Sequence, residues 1–263
     1  NATLGLRSSI GQTRTPLFRA APSLLQRGEG VEVVFTPGTV LASVDVGELQ
    51  GGANLAAIST GSEWELFQFA SATLIEPGVW RLSGLLRGQF GTEPLIADAW
   101  PPGALVVVLD GAPTQLDLPA AARGVARRWR IGPAALAYDD PVYVESTEAF
   151  RGNGLRPYAP VFLRAERAAP GADLAVDWRR RTRLGGDSWD GAEVPLSEEV
   201  ESWLIRIRAG GSVVREVTQA SAGFVYTPAM QATDGVIGAF SVEVAQVSAS
   251  YGPGLFAVAS VAG

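Results

Sequence analysis

An all-β fold is predicted, on three observations. Apolar and polar residues alternate over short runs, as at Val31–Phe35 and at residues 174–178, which is the period of a strand with one buried face. The 31 glycines and 17 prolines are scattered without a repeat, so turn signals recur between short elements. A hairpin is legible between Trp64 and Leu86. There residues 65–75 are rich in aromatic and β-branched types, Glu76-Pro77-Gly78 reads as a turn, and residues 80–86 alternate again.

The chain before that hairpin opens with an entry segment, residues 1–30, in which Pro16-Leu17-Phe18 and Leu24-Leu25 are placed to dock on a core. Val31–Phe35 is a strand with Val31, Val33 and Phe35 on one side. Thr36-Pro37-Gly38 turns it, and residues 40–46 read as the next strand. Gly51-Gly52 is a further turn, followed by a strand over Leu55–Ser59. After the hairpin, Leu85 to Glu93 runs into a loop with glycines at 88 and 91. Residues 104–109 are a continuous apolar run, too short and too β-branched for a helix, and read as a buried strand. Leu116 and Leu118 begin another candidate strand. Residues 126–131 alternate, with Arg127 and Trp129 pointing one way and Arg128 and Arg130 the other; residues 141–147 supply the last strand. Eight to ten short strands exceed one small sheet, so a barrel or a sandwich is expected for residues 1–154.

Glycines and a proline cluster without apolar periodicity at Arg151-Gly152-Asn153-Gly154-Leu155-Arg156-Pro157, which marks a domain boundary. Residues 155–263 have the length of an immunoglobulin-like sandwich. Strands are expected at 161–164, at 174–178 with Leu174, Val176 and Trp178 on the core face, at 203–207 and 213–217 across Arg208-Ala209-Gly210-Gly211, at Phe224–Tyr226 before a Thr-Pro turn, at 240–247, and near 255–259.

Composition closes off several functions. Hydrophobic residues make up 47% and charged residues 18%, which is a globular chain and not a disordered one. The formal net charge of −6 disfavours a nucleic-acid footprint. The apolar runs are far too short to span a bilayer as helices, so no stable membrane insertion is expected. Histidine and cysteine are both absent, which removes imidazole bases, thiol nucleophiles, disulfides and His- or Cys-ligated zinc. No enzyme is expected in these residues, and no cofactor. The chain opens at Asn1 without a methionine, and a piece of a longer polypeptide is expected.

Two resemblances add to this reading. Trp178, the run Phe240-Ser241-Val242-Glu243-Val244-Ala245-Gln246-Val247-Ser248 and the following Tyr251-Gly252-Pro253-Gly254 resemble a fibronectin type III domain. That family usually carries a corner tyrosine near position 240 or 242, where this chain has Phe240 and Val242. The other resemblance rests on Leu85-Leu86-Arg87-Gly88-Gln89-Phe90-Gly91-Thr92-Glu93, on Leu155-Arg156-Pro157-Tyr158-Ala159-Pro160, on Arg180-Arg181-Thr182-Arg183 and on Gly186-Asp187-Ser188-Trp189. These are similar to the C-terminal portion of the tail hub, or megatron, proteins of gene transfer agents, related to host-specificity proteins of long-tailed phages. The resemblance implies a structural part of a distal tail or baseplate in a virus-like particle. It also implies a homotrimer about the tail axis, other hub, baseplate and fibre proteins as partners, and contact with a recipient cell surface outside the producing cell. Hydrolase activity in that family belongs to an upstream barrel that these residues do not contain. The alternative class is a carbohydrate-binding module of a secreted enzyme with a fibronectin-like spacer.

The candidate contact residues follow from their chemistry. Trp189, flanked by Asp187 and Asp190, has the make-up of a glycan platform, an indole face with carboxylates to accept sugar hydroxyls; the competing reading is a loop indole folded back on the sandwich. The same acidic turn lacks the closing glutamate of a calcium loop. Arg179, Arg180 and Arg181, with Arg127 and Arg130, are candidates for pairing with carboxylates of a neighbouring subunit. Gly88 and Gly91 lack the Gly-x-Gly opening of a phosphate loop and are expected to fix a tight backbone path, with Arg87 and Glu93 holding the loop's edges.

Overall fold

The structure is a computed structural model that describes residues 8–22, 24–109, 111, 116–186 and 194–262. The chain divides into two compact units, Asn1–Phe150 and Arg151–Gly263.

The first unit runs through β1 (Ile10–Thr13), β2 (Leu17–Phe18), β3 (Val31–Phe35), the short helix α1 (Val46–Gln50), β4 (Leu55–Ser59), β5 (Glu65–Glu76), β6 (Val79–Leu86), β7 (Ala99–Trp100), β8 (Leu105–Val108), β9 (Arg127–Ile131) and β10 (Val144–Glu148). Six of these strands close into an antiparallel barrel in the order β1-β3-β6-β5-β4-β8, with β8 returning to β1. Closure leaves this sheet no open edge. Its interior is filled by alternate residues: Val31, Val33 and Phe35 from β3, Phe67 and Phe69 from β5, Leu82 and Leu85 at β6, and Val106 and Val108 from β8. The expected hairpin is β5 and β6, turned through Pro77-Gly78 and paired from Gln68 with Leu86 to Glu76 with Val79. The apolar run at 104–109 forms β8 with Val106 and Val108 buried, as its composition predicts.

Three expectations for this unit change. Residues 10–13, expected within an entry segment, form a barrel strand. Its inward positions are Gly11 and Thr13, and Thr13 satisfies its buried hydroxyl by donating to the Pro101 carbonyl at 2.7 Å and accepting from the Ala104 N–H at 3.0 Å. Residues 40–46 are not a strand. The chain is irregular up to Asp45, which caps α1: its carboxylate accepts from the Glu48 N–H at 2.9 Å while the Glu48 carboxylate accepts from the Asp45 N–H at 3.0 Å. This reciprocal pair satisfies two of the orphan donors of a helix start. Gln68 ties the helix to the barrel by donating to the Leu49 and Ala53 carbonyls. Leu116 and Leu118 begin no strand.

The second unit contains β11 (Val161–Arg167), β12 (Leu174–Arg179), β13 (Trp203–Ala209), β14 (Ser212–Gln219), β15 (Phe224–Tyr226), the helix α2 (Pro228–Thr233), β16 (Phe240–Ser248), β17 (Gly252–Pro253) and β18 (Ala257–Val261). One sheet is β11-β12-β15. The other is β14-β13-β16, extended by β18 along Phe240 to Val244 and by β17 at Val247 and Ser248. Three strands facing five make a sandwich of the fibronectin type III kind. Leu174, Val176 and Trp178 are all buried, and Trp178 meets Trp203 of the facing sheet edge-on with ring centroids 5.4 Å apart. The Thr-Pro pair after β15 starts a helix rather than a turn, because Thr227 accepts from the Met230 N–H and Pro228 sits where no donor is needed. A tyrosine does serve this corner, from an unexpected position. Tyr226, at the end of β15, donates its hydroxyl to Asp234 at 2.7 Å, and Arg215 of β14 grips both oxygens of Asp234 at 2.7 and 2.9 Å.

Candidate functional site

The loop that follows β6 is the most highly constructed part of the first unit. Antiparallel pairing of β5 with β6 brings the start of one strand to the end of the other, so Arg87 emerges beside Glu65. The Arg87 guanidinium donates through Nε to Glu65 Oε1 at 2.5 Å and through Nη2 to Oε2 at 2.7 Å, and both side chains are fully buried. Its third nitrogen, Nη1, donates to the Phe18 carbonyl at 2.9 Å. Glu65 also accepts from the Trp100 indole at 2.6 Å and from the Gly88 N–H at 3.3 Å. One ion pair thus joins β2, β5, the end of β6 and β7. Arg87 is therefore held by Glu65 and not by the nearer-in-sequence Glu93.

The loop itself is fixed by this pair. Gly88 takes a left-handed conformation, φ 62°, and a Cβ there would stand 2.8 Å from Glu93 Cα and 2.9 Å from Ile96 Cδ1, so only glycine fits. Two single turns of 3₁₀ helix follow, Gln89–Gly91 and Glu93–Leu95. Thr92 fastens them to the barrel, donating to the Gln89 carbonyl at 2.7 Å and accepting from the Leu66 N–H at 3.0 Å. Phe90 is held at φ 53°, a conformation that side chains other than glycine rarely adopt, with its ring 53% exposed. Phe18 and Trp64, each directly tied to the ion pair through the chain, are exposed as well. Both oxygens of Glu65 are engaged, by the Arg87 guanidinium, the Trp100 indole and the Gly88 N–H.

Of the arginines singled out in the sequence, Arg130, Arg179, Arg180 and Arg181 find partners within the chain. Arg180 donates to the Val194 carbonyl at 2.6 Å and lies 3.7 Å from Glu201. Arg181 stacks over Tyr158 at 4.8 Å. Arg179 donates to the Trp178 carbonyl, and its neighbour Arg183 pairs with Glu198 at 2.8 Å while donating to the Gly154 carbonyl. Arg130 pairs with Glu145 at 3.1 Å, and Arg127 is exposed opposite Glu148. Asp187, Trp189 and Asp190 lie outside the described residues. Asp140 caps its own turn by accepting from the Val142 N–H. Among the described residues no three His, Cys, Asp or Glu groups converge on a metal position, and no helix is long and apolar enough to cross a membrane.

Residues 8–107 match the family model described as Rcc01698-like, C-terminal. The match runs from before β1 into β8 and includes the whole Arg87 loop. No curated protein matches the chain. Among solved structures, the chain is similar to domains d3–d4 of the extracellular region of rat CD45, at 11% identity and a TM-score of 0.31, over 59% of this chain and 72% of that one.

Proposed function

We propose that the chain is a structural component of the distal tail, the hub or baseplate tip, of a phage-like particle or gene transfer agent. The observation that carries this is the family match over residues 8–107, to a family associated with gene transfer agents, which takes in the signature loop Leu85 to Glu93. The build of that loop supports the same reading: a buried ion pair spends its hydrogen bonds on rigidity and leaves Phe90 facing outward. In this role copies of the chain form a trimer about the tail axis. They contact other hub, baseplate and fibre proteins and bring the released particle to a recipient cell surface. The chain's own part is assembly and presentation, not catalysis.

Immunogold labelling of purified particles with an antibody against this chain tests the reading. Label is expected at the tail end distal to the capsid. Particles that lack the chain, or that carry label on the capsid alone, overturn it.

A further inference from the structure

Asn153-Gly154, near the start of the second unit, is built for chemistry on the chain itself. In an asparagine–glycine pair the next backbone nitrogen reaches the side-chain carbonyl carbon with least hindrance, because glycine has no Cβ. The turn that holds this pair is lightly made. Gly152 takes a left-handed conformation, φ 70°, and Asn153–Leu155 form a single 3₁₀ turn without a side-chain cap. Two backbone bonds close it, from the Leu155 N–H to the Gly152 carbonyl at 2.8 Å and from the Arg156 N–H to the Asn153 carbonyl at 3.1 Å. A single uncapped turn at the surface opens at little cost.

Both reacting groups are open to solvent. Asn153 and Gly154 are exposed, and neither the Asn153 carboxamide nor the Gly154 N–H makes a hydrogen bond among the described residues. A Cβ built on Gly154 meets nothing within 4 Å, so packing does not require glycine there. The Arg183 guanidinium donates to the Gly154 carbonyl at 3.1 Å, which sets a fixed positive charge beside the nitrogen that must lose its proton. Two other sites in the chain are built the opposite way. Asn54 donates its amide to the Ala42 and Phe69 carbonyls at 2.8 and 3.1 Å and is followed by Leu55. In Asp234-Gly235 both carboxylate oxygens are gripped by Arg215, and the Gly235 N–H donates to the Ala232 carbonyl at 3.2 Å.

We infer that Asn153 is a site of spontaneous deamidation in the folded chain. The Gly154 nitrogen gives its proton to solvent and bonds to Asn153 Cγ. The Cγ–Nδ2 bond breaks, and the departing nitrogen takes up a proton and leaves as ammonia. The cyclic succinimide that results is opened by a water molecule at either of its carbonyls, to aspartate or to isoaspartate. Either product adds a negative charge close to Arg183, whose guanidinium already lies on the Gly154 carbonyl. Isoaspartate also routes the main chain through the former side chain, which lengthens it by one atom and undoes the 3₁₀ turn. The reaction belongs to the chain's own chemistry and holds whatever particle it builds.

Incubation of the folded full chain in neutral buffer over weeks, with trypsin digestion and mass spectrometry at each time point, tests the inference. Cleavage after Arg151 and Arg164, with Arg156-Pro157 resisting, releases residues 152–164, a peptide with no other asparagine and no glutamine. That peptide is expected to gain about 1 Da as ammonia is exchanged for water. It is also expected to split into two products on chromatography, the isoaspartate form identified by electron-transfer fragmentation. The peptide that carries Asn54 is expected to keep its mass. Gly154→Ala is expected to leave circular dichroism unchanged and to lengthen the half-life of the reaction severalfold. Asn153→Gln, whose longer side chain closes the ring poorly, is expected to abolish the gain. A constant mass for residues 152–164, a gain seen only after unfolding in urea, an equal gain at Asn54, or a Gly154→Ala chain that reacts as fast as the wild type each overturn it.

Discussion

The Arg87 guanidinium holds both oxygens of the Glu65 carboxylate, at 2.5 and 2.7 Å, with neither side chain exposed to solvent. Removing one partner leaves a buried charge without its counterion, which costs about 3–5 kcal/mol, whereas replacing both with apolar residues of similar volume is often nearly neutral. Arg87→Met and Glu65→Leu are therefore expected to destabilise the barrel unit strongly one at a time, and the double variant by clearly less than their sum. Urea unfolding followed by tryptophan fluorescence measures this, since Trp100 donates to the same carboxylate. Additive losses would show that the two residues act independently.

Gly88 and Phe90 sit in the same loop and make opposite demands. Gly88→Ala puts a Cβ on a left-handed backbone against Glu93 and Ile96, and is expected to cost about 1–3 kcal/mol. Phe90→Gly removes an exposed ring and relieves a left-handed side-chain conformation, so its stability is expected to stay within about 1 kcal/mol of the wild type. Thermal melts of the two variants check the contrast. If the ring is what the loop presents, Phe90→Gly chains also fold normally yet enter particles less efficiently, read by immunoblot of purified particles.

How much of this was legible depended on what each strand puts inside. Leu174, Val176 and Trp178 alternate because one face is buried, and their placement followed directly from that period. β1 was hidden because its inward positions are Gly11 and Thr13, and neither gives an apolar signal. Val40, Val44 and Val46 suggested a strand, but Val40 is 85% exposed and the Asp45 and Glu48 capping box three residues apart was the stronger cue. Glu93 was expected to hold Arg87 because it is near in sequence; strand pairing brings the distant Glu65 closer, and pairing is a property of the folded hairpin. The two faces of β9 were read correctly from alternation, with Arg127 and Trp129 on one and Arg128 and Arg130 on the other. What alternation could not give was the exposure of Ile131 and Val144, since a residue's period says which way it points and not whether anything covers it.

Tyr226 makes the corner of the sandwich sensitive to alkali. Burial, then its hydrogen bond to Asp234, pushes the hydroxyl's pKa well above the ordinary tyrosine range of about 10. The folded state thus keeps a proton that the unfolded state gives up. The contribution is complete below the ordinary value and is lost as pH rises through it toward the folded one. Tyr226→Phe is expected to flatten the alkaline fall in stability of the second unit, and calorimetry between neutral and alkaline pH tests this. An unchanged alkaline slope in the variant rules the tyrosine out as its source.

Asp234 sets the acid limit of the same unit. Hydrogen bonds from Arg215 hold its carboxyl below the ordinary aspartate range, with burial opposing them and the Tyr226 hydroxyl adding to them. Because the folded pKa lies below the unfolded value of about 3.9, the unfolded chain binds the proton first as pH falls. The stabilisation is present in full above that value and disappears as pH drops through the folded pKa. Asp234→Asn is expected to do two things at once. At neutral pH it should destabilise the second unit, since Arg215 loses its counter-charge on β14 and α2 loses its tie to that strand. On the acid side it should remove this group's share of the pH slope, so that wild type and variant converge at low pH. Urea unfolding at stepped pH values separates these effects. Parallel curves with a constant offset would mean that the residue contributes through packing alone and that its charge is idle.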